Sequence, residues 1–298
     1  MRKNKIYSQL IGNGEASYTS LYSDAMRRLR KDKVAMVCLA FVAILVFLAV
    51  FAPYIAPYSE SFQDVDNILQ KPSSIHLLGT DEFGRDNLSR ILYGTRISLS
   101  VGIVAESIAI LIGVLVGAVA GYYGGAVDAV ISRIIEIFAS FPQILFAIVI
   151  MFVLGPGVIN VFVAIGLVGW TGLARVIRSQ IIQLKQKEYV EAARATGGTS
   201  LKIILRHLVP NCLSTIIVVA TMSIPEDIMY EASLSFLGLG VQPPGSSWGA
   251  MLNAARLHIQ TNPEYSVFPG IALIVTVLAF NLLGDGLRDA LDPKLKNL

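Results

Sequence analysis

Hydrophobic and polar positions alternate along this chain in long blocks, without the short period of a surface helix or strand. Six blocks are predominantly apolar, and all but the fourth run for about 17 residues or more, the length at which a helix can cross a bilayer. The fourth becomes amphipathic after Trp170. The pattern predicts an all-α polytopic membrane protein with six transmembrane helices. The six blocks cover residues 34–51, 97–122, 127–154, 158 onward, 211–233 and 267–283.

Composition supports a membrane protein and argues against an enzyme. Of the 298 residues, 54% are hydrophobic and 15% are charged, whereas soluble domains carry about 25% charged residues. No G-x-x-x-x-G-K-[ST] phosphate loop occurs, so any ATP must be hydrolysed by another chain. The three histidines, His76, His207 and His258, lie far apart and lack the spacing of metal ligands. The sequence therefore predicts a chain with no catalytic residues, no metal site and no cofactor of its own.

Basic residues predict the orientation in the membrane. Residues 1–33 hold eight Lys and Arg and residues 175–206 hold seven, but residues 231–266 hold only one. Because cytoplasmic loops carry the excess of Lys and Arg, both termini are expected to be cytoplasmic. The expected layout is a cytoplasmic segment at 1–33, a first helix at 34–51, an outer loop at 52–96, a core at 97–286 with five helices, a cytoplasmic loop at 185–210, an outer segment at 232–266 and a cytoplasmic tail at 287–298.

The basic N-terminal segment contains a short amphipathic pattern. Leu21, Ala25 and Leu29 recur at i, i+4 and i+8, and basic residues lie between them. Helices of this kind bury their apolar side in the membrane interface. We expect a basic amphipathic helix on the inner membrane surface, with a solvated basic leader as the alternative.

Small residues recur at every fourth position of the second apolar block. Gly113, Gly117 and Gly121 form a smooth stripe on one helix face, which another helix backbone can approach closely. The stripe predicts a helix-packing contact, and its partner is either a helix of the same chain or a neighbouring subunit. Pro142 and Pro225 are predicted to kink the third and fifth helices, since proline removes a backbone hydrogen bond.

Ionisable residues inside apolar blocks are functional candidates, because a charge is costly within a membrane. Arg133 and Glu136 stand three residues apart and are expected to form a structural ion pair. Glu106, Glu226 and Asp227 are candidates for a polar pathway, where they would meet a cation or the amino group of a substrate. The alternative for the last two is solvation near the outer surface, if the fifth helix ends early.

A charged insert separates the fourth and fifth apolar blocks. Its first part favours a helix, and Gly197 with Gly198 would end it, since glycine adopts the left-handed backbone of a helix C-terminus. Thr199 is placed to cap a second helix over about 200–208, which Pro210 would stop. The insert is thus predicted to be a helix–turn–helix tied to a membrane span at each end. Such an element can pass a push from a soluble partner into the bilayer.

The insert resembles a known motif. Glu191-Ala192-Ala193, then three residues and Gly197, is similar to the EAA loop of the membrane subunits of ABC importers, although the end of the loop matches that motif only at its proline. The resemblance implies that these residues, with Gly198, form a coupling helix and loop that dock on an ATP-hydrolysing subunit.

Two further segments narrow the resemblance. Residues 78–86, LGTDEFGRD, and residues 231–244, EASLSFLGLGVQPP, are similar to segments of the "C" permeases of dipeptide, oligopeptide and nickel importers. The resemblance implies a type I ABC importer permease fold in a bacterial inner membrane. It also implies a second homologous permease, two ATPase subunits that hold ATP and Mg, and an extracytoplasmic solute-binding protein. Nucleic acid is not expected as a partner.

The function expected from this resemblance is ATP-driven import of di- or oligopeptides, with this chain forming part of the translocation pathway. Import of nickel or a metal chelate by the same kind of machine is the alternative. An ion-coupled secondary transporter and a non-transporting membrane scaffold are two further alternatives, and both leave features of the sequence unexplained. The scaffold does not account for acidic residues at depth, and the secondary transporter does not account for the cytoplasmic insert.

Overall fold

The computed structural model describes residues 21–291, so most of the predicted N-terminal segment and the end of the tail lie outside the described residues. Within that range the chain consists of helices, turns and loops, and no β-strand occurs there. The all-α fold class is confirmed. The described α-helices are α1 Leu21–Leu29, α2 Lys33–Ile55, α3 Asn87–Tyr123, α4 Gly125–Ala139, α5 Gln143–Leu154, α6 Val158–Leu184, α7 Glu188–Ala195, α8 Ser200–Ile203, α9 Leu213–Phe236, α10 Trp248–Ala255 and α11 Glu264–Leu291.

Five helical stretches among the described residues are long and apolar enough to cross a membrane. They are α2, α3, α6, the stretch from Ser200 through α9, and α11. A sixth crossing results if α4 and α5 count as one span. The six predicted helices therefore correspond to five continuous helices and one bent pair.

The third apolar block forms that bent pair instead of one kinked helix. α4 ends at Ala139, α5 begins at Gln143, and the two helices differ in direction by 87°. Pro142 lies in the break, because proline has no N–H to donate and disfavours helical backbone at the residue before it. The predicted kink at Pro142 is therefore in fact a break between two helices. Pro225 behaves differently, since it lies inside α9 and the helix continues past it to Phe236.

The second predicted transmembrane helix corresponds to α3, which begins at Asn87, ten residues before the predicted start at 97. The Asp86 side chain caps it by accepting a hydrogen bond of 2.8 Å from the Ser89 N–H. Arg90, in the first turn, is buried, and its Nε lies 3.4 Å from the Asp81 carboxylate. The polar start of this helix is therefore covered by folded protein, and a search for apolar blocks misses it.

The glycine stripe on α3 packs against α6 of the same chain. A Cβ added to Gly117 would lie 2.5 Å from the Ala174 carbonyl oxygen, and one added to Gly121 would lie 2.7 Å from that of Arg178. Gly113 has the same relation to Trp170 at 2.9 Å. Only glycine allows the two backbones to approach so closely. Of the two partners left open by the sequence, the structure therefore shows the intramolecular one.

The bundle has two ends with different contents. The hairpin end contains residues 185–212 and the helix ends next to them, and the loop end contains residues 56–86 and 237–263 and the helix ends next to them. At the hairpin end, Leu29 of α1 packs against Ala35 of α2 and the end of α11. The basic helix predicted for this region is present, and Leu29 contacts protein where the sequence predicts contact with a membrane surface.

Candidate functional site

The insert between α6 and α9 begins with a helix that ends on two glycines. The Gly198 N–H donates to the Ala193 carbonyl oxygen at 3.0 Å, and Gly197 adopts φ +82°. This backbone favours glycine, because other residues meet steric strain at positive φ. The sequence pattern of helix followed by Gly-Gly therefore corresponds to α7 and a left-handed turn.

The second arm of the insert differs from the prediction. α8 contains only four residues, and the Val209 N–H then donates to the carbonyl oxygen of Ile204, five residues back. A tight turn over Val209–Cys212 follows and leads directly into α9. Pro210 therefore does not stop the helix, because a widened turn precedes it and leaves room for a residue without an N–H. Thr199 occupies the N-cap position, but its side chain accepts no cap hydrogen bond.

Apolar side chains fasten the insert to the bundle. Val190, Ile203 and Leu208 are buried in one cluster with Ile177 of α6 and Ile216 of α9. The opposite side of the insert is exposed to solvent. Because both arms are buried against α6 and α9, a displacement of the insert would be transmitted to those two helices. The exposed residues of this surface include Glu191, Ala192, Arg194, Gly197 and Lys202.

Polar contacts join the insert and the neighbouring end of α6 to α3 and α4. Lys185 Nζ donates to the Gly121 carbonyl oxygen at 2.7 Å, which satisfies the C-terminus of α3. The Arg178 guanidinium pairs with both carboxylate oxygens of Asp128 on α4, with 2.6 Å between Nη2 and Oδ2. The Arg194 guanidinium lies 5.3 Å from the centre of a tyrosine ring at the end of α3. The hairpin end is therefore one connected unit.

The three acidic pathway candidates occupy two different environments. Glu106 is 4% exposed and Asp227 is 5% exposed, and the two carboxyl groups lie close enough to interact electrostatically. Asp227 Oδ2 has no hydrogen-bond partner among the described residues. Glu226 is exposed on the surface of the chain. One alternative from the sequence was that this helix ends early, which would place Glu226 and Asp227 near the surface of the membrane. Instead α9 continues for ten residues past Glu226, so neither acid lies at a helix end.

Two grooves open on the face formed by α9 and α11. The first has a volume of about 350 Å³ and the second a volume of about 400 Å³. In the first, Tyr230 is held by a hydrogen bond of 2.8 Å from its hydroxyl to Gln143 Oε1 on α5. The first groove is lined by Pro225, Glu226, Met229, Tyr230, Val277 and Asn281. The second is lined by Ser214, Thr215, Val218, Val219, Met222, Arg288 and Leu291.

Arg133 and Glu136 lie away from these grooves, on α4. Arg133 Nη1 donates to Glu136 Oε2 at 2.7 Å, and the two side chains are 80% and 60% exposed. The pair therefore lies on the surface of this chain.

A buried carboxyl group at the loop end is not among the predicted site residues. Glu231 is completely buried and accepts hydrogen bonds from Ser98 of α3 at 3.2 Å and from Ser235 at 2.6 Å. Ser235 Oγ in turn accepts a hydrogen bond from the Val241 N–H at 3.1 Å. The spacing of Glu231 and Ser235 is the only local signal of this network, since Ser98 lies 133 positions away.

The acidic motif in residues 78–86 is a structured turn. Asp81 accepts a hydrogen bond of 2.6 Å from Arg85 Nε, and Asp86 lies 3.0 Å from His76 Nδ1. His76 Nε2 also lies 3.5 Å from the Asp64 carboxylate. A hydrogen bond from the Asn67 amide, together with the neighbouring imidazole, holds the pKa of Asp64 below its ordinary value.

The second segment of the loop end, residues 237–263, packs onto this turn. Asn262 Nδ2 donates to the Leu69 carbonyl oxygen at 2.8 Å, and His258 Nε2 lies 3.3 Å from Glu82. The loop end therefore forms one folded cap from its two segments. Of the three histidines, two lie in this cap, whereas His207 lies at the hairpin end.

Comparison with known families gives two matches. Residues 113–297, more than half of the chain, match the sequence model described as "Binding-protein-dependent transport system inner membrane component". Residues 20–72 match "N-terminal TM domain of oligopeptide transport permease C". Together the matches cover most of the described helices.

Curated relatives are similar over nearly the whole chain. The glutathione transport system permease protein GsiD of Shigella flexneri serotype 5b (strain 8401) is 49% identical over 271 residues, which are 91% of this chain and 89% of that protein. GsiD of Escherichia coli O157:H7 is 48% identical over the same shares.

Solved structures share the fold. The MetNI methionine ABC transporter in an inward-facing conformation matches with a TM-score of 0.54 and 19% identity, over 68% of this chain and 96% of the matched chain. An amino acid ABC transporter matches with a TM-score of 0.51 and 16% identity, over 66% and 92%.

Proposed function

The chain belongs to the inner membrane components of binding-protein-dependent transport systems, the permease subunits of ABC importers, and from that membership we propose that it moves peptide-like substrates in response to ATP hydrolysis by partner subunits. It is a multi-pass inner membrane protein and not an enzyme, since ATP hydrolysis in this family belongs to separate subunits. Membership in the family sets aside the secondary transporter and the scaffold.

The hairpin end is proposed as the docking site for an ATPase subunit. The observation that carries this proposal is the two-sided insert, with a solvent-exposed surface around Glu191 and Gly197 and a buried side at Val190, Ile203 and Leu208. A partner that grips the exposed surface would move α6 and α9 through the buried contacts. Since α9 carries both grooves, such a motion would change the shape of the pathway wall. Differential contact in the two states is what any such coupling requires.

The proposed substrate is a peptide or peptide-like molecule. The relatives named for glutathione transport and the match to oligopeptide transport permease C both favour this class over nickel or a metal chelate. Glutathione is a tripeptide-like compound with a free amino group, so a single pathway wall could serve it and ordinary short peptides.

The proposed assembly places a partner on each free surface. A second homologous permease would close the grooved face of α9 and α11, two ATPase subunits would dock at the hairpin end, and a solute-binding protein would dock at the loop end. We further propose that the hairpin end and both termini are cytoplasmic, in keeping with the basic residues of the insert.

A pair of glycine substitutions tests the coupling role. Gly197 and Gly238 both have φ +82° and open space where a Cβ would be added, but only Gly197 lies in the insert. Alanine at either position introduces similar backbone strain, of about 1–2 kcal/mol. In the complete importer reconstituted in liposomes, G197A should lower substrate uptake per ATP hydrolysed at least about fivefold. G238A should leave that ratio unchanged. Equal ratios in the two variants would reject the insert as the coupling element.

A further inference from the structure

Glu226 places an acidic side chain on a surface of α9 that is far from both ends of the helix. It lies 13 residues from Leu213 and 10 residues from Phe236, or roughly 20 Å and 15 Å along the axis. The hydrocarbon core of a bilayer is about 30 Å thick, so this carboxyl group cannot easily reach water beyond a helix end. Acidic residues at such a position nearly always face a protein interior or a water-filled pathway. Because Glu226 is exposed on this chain, it should face the pathway.

The groove around Glu226 offers hydrogen-bond acceptors and no positive charge. Asn281 on α11 lines the groove opposite α9, and Tyr230 has its hydroxyl directed to Gln143. The other lining residues are apolar, and no lysine, arginine or histidine is among them. A ligand that fits this lining carries a positively charged group with several N–H donors and, next to that group, a short apolar group.

Two further acids lie in the interior next to this groove. Glu106 and Asp227 interact electrostatically with Glu226, and one carboxylate oxygen of Asp227 has no hydrogen-bond partner among the described residues. The interior therefore provides polar groups whose hydrogen bonds are not all satisfied among the described residues. Polar groups at this depth mark the surface of α9 around Glu226 as part of a polar pathway.

The chemistry of the lining favours an ammonium group over a metal ion. A metal site needs several ligands at fixed geometry, and no group of three His, Cys, Asp or Glu within residues 21–291 is arranged to hold one. A protonated amino group needs only two or three acceptors and forms charge-assisted hydrogen bonds with a carboxylate.

We infer that Glu226 contacts the protonated amino group of the substrate as it passes, and that Asn281 supplies a second acceptor. This inference rests on the proposed function, because it concerns the translocation pathway of a peptide importer. The second groove on the same two helices continues this wall toward the hairpin end, and its lining includes Arg288 and no acid, so the proposed amine contact belongs to the first groove alone.

The experiment measures ATP-dependent uptake by the complete importer in liposomes with saturating binding protein. Trialanine and glutathione serve as probes with a free amino group, and their N-acetyl forms serve as probes without one. Each rate is expressed as the ratio of variant to wild type, so preferences of the binding protein cancel. The variants are E226Q, the double variant E226Q/N281D, and E136Q as a control that removes a carboxylate from a different helix.

E226Q should lower the ratio for the free-amine probes about tenfold, the effect of losing one hydrogen bond to a charged group, and should change the ratio for the acetylated probes less than twofold. E226Q/N281D should recover much of the lost rate, because it returns a carboxylate to the same groove. E136Q should match wild type. An equal loss for both kinds of probe, or no loss, overturns the inference.

Failure of the broader proposal gives a different result. If wild-type importer shows no ATP-dependent uptake of either free-amine probe, peptide transport itself is rejected and the amine contact with it. If the wild type transports a probe and E226Q transports it equally well, only the amine contact is rejected. If wild-type uptake of the acetylated probes is too slow to measure, the test is whether E226Q/N281D restores the uptake of the free-amine probes that E226Q loses. Restored uptake supports the amine contact, and unrestored uptake rejects it.

Discussion

At the hairpin end, apolar side chains such as Val190 and Leu208 fasten the insert to the bundle, whereas at the loop end buried apolar contacts are joined by hydrogen bonds to the buried carboxyl groups of Glu231 and Asp81. Apolar contacts have little directional preference, so buried surfaces can shift while they remain buried. Hydrogen bonds to a buried carboxylate hold only over a narrow range of distance and angle. The comparison indicates that the hairpin end is suited to transmit movement and that the loop end is suited to hold a fixed shape.

The strongest challenge to this comparison is removal of an apolar anchor. L208A should destabilise the protein by about 3 kcal/mol, because it leaves a cavity in the cluster under the insert. Uptake per ATP hydrolysed should fall as well, since the insert would no longer move α9. Thermal unfolding in detergent measures the first effect. L201A is the control, because Leu201 is 66% exposed on the same insert and its truncation should leave unfolding unchanged.

Removing the buried carboxyl group tests the loop end. E231A should cost about 2 kcal/mol, because the Ser98 and Ser235 hydroxyls lose their acceptor in a buried site. E231Q retains one acceptor oxygen of similar shape and should lose less. The unfolding temperatures of E231A and E231Q, each compared with wild type, measure these losses. If E231A and E231Q unfold together with wild type, directional hydrogen bonds do not hold this end.

A smaller effect is expected from the ion pair at the hairpin end. Asp128 and Arg178 are partly exposed, so D128N should cost only about 0.5–1 kcal/mol. The difference from wild type should shrink in high salt, because salt screens exposed charges. Unfolding curves at low and high ionic strength measure this. A salt-independent loss larger than that of E231A would contradict the assignment of apolar contacts as the main anchor here.

The smallest effect concerns the acid sensitivity of the folded cap at the loop end. The folded pKa of Asp64 lies below its ordinary value, so its contribution to stability is present above that value and is lost as the pH falls through the folded pKa. D64N should therefore unfold at a lower temperature than wild type near pH 6, and the two should converge as the pH falls below about 4. Melting temperatures across this range provide the measurement. A constant difference down to acidic pH would show that the Asp64 charge is not involved.

Part of the site could be predicted from sequence because its determinants are local. The α7 helix ends where Gly197 supplies a left-handed backbone, and this preference belongs to the residue itself. The second arm of the insert could not be predicted from neighbouring residues alone. Pro210 normally ends a helix, but the chain continues through it because Ile203 and Leu208 are buried and a widened turn makes room. Burial of side chains outweighs the local preference of proline here.

The acidic candidates show the same division. Sequence identifies Glu106, Glu226 and Asp227 as unusual, since a charge in an apolar block is costly wherever it points. Only the packing of α3 and α11 against α9 separates the two buried acids from the exposed one. Glu231 went unpredicted because its partner Ser98 comes from a distant helix.

The sequence by itself determined the apolar lengths that make this a membrane protein, the glycines that end α7 and the proline that interrupts the third block, because each depends on a few neighbouring residues. Tertiary structure decided that the glycine stripe of α3 faces α6, that Arg90 can be buried beside Asp81, and that Glu226 lines a groove while Glu106 and Asp227 are buried. The physical reason is that burial and pairing depend on groups brought together from distant positions, and no local pattern records which groups those are.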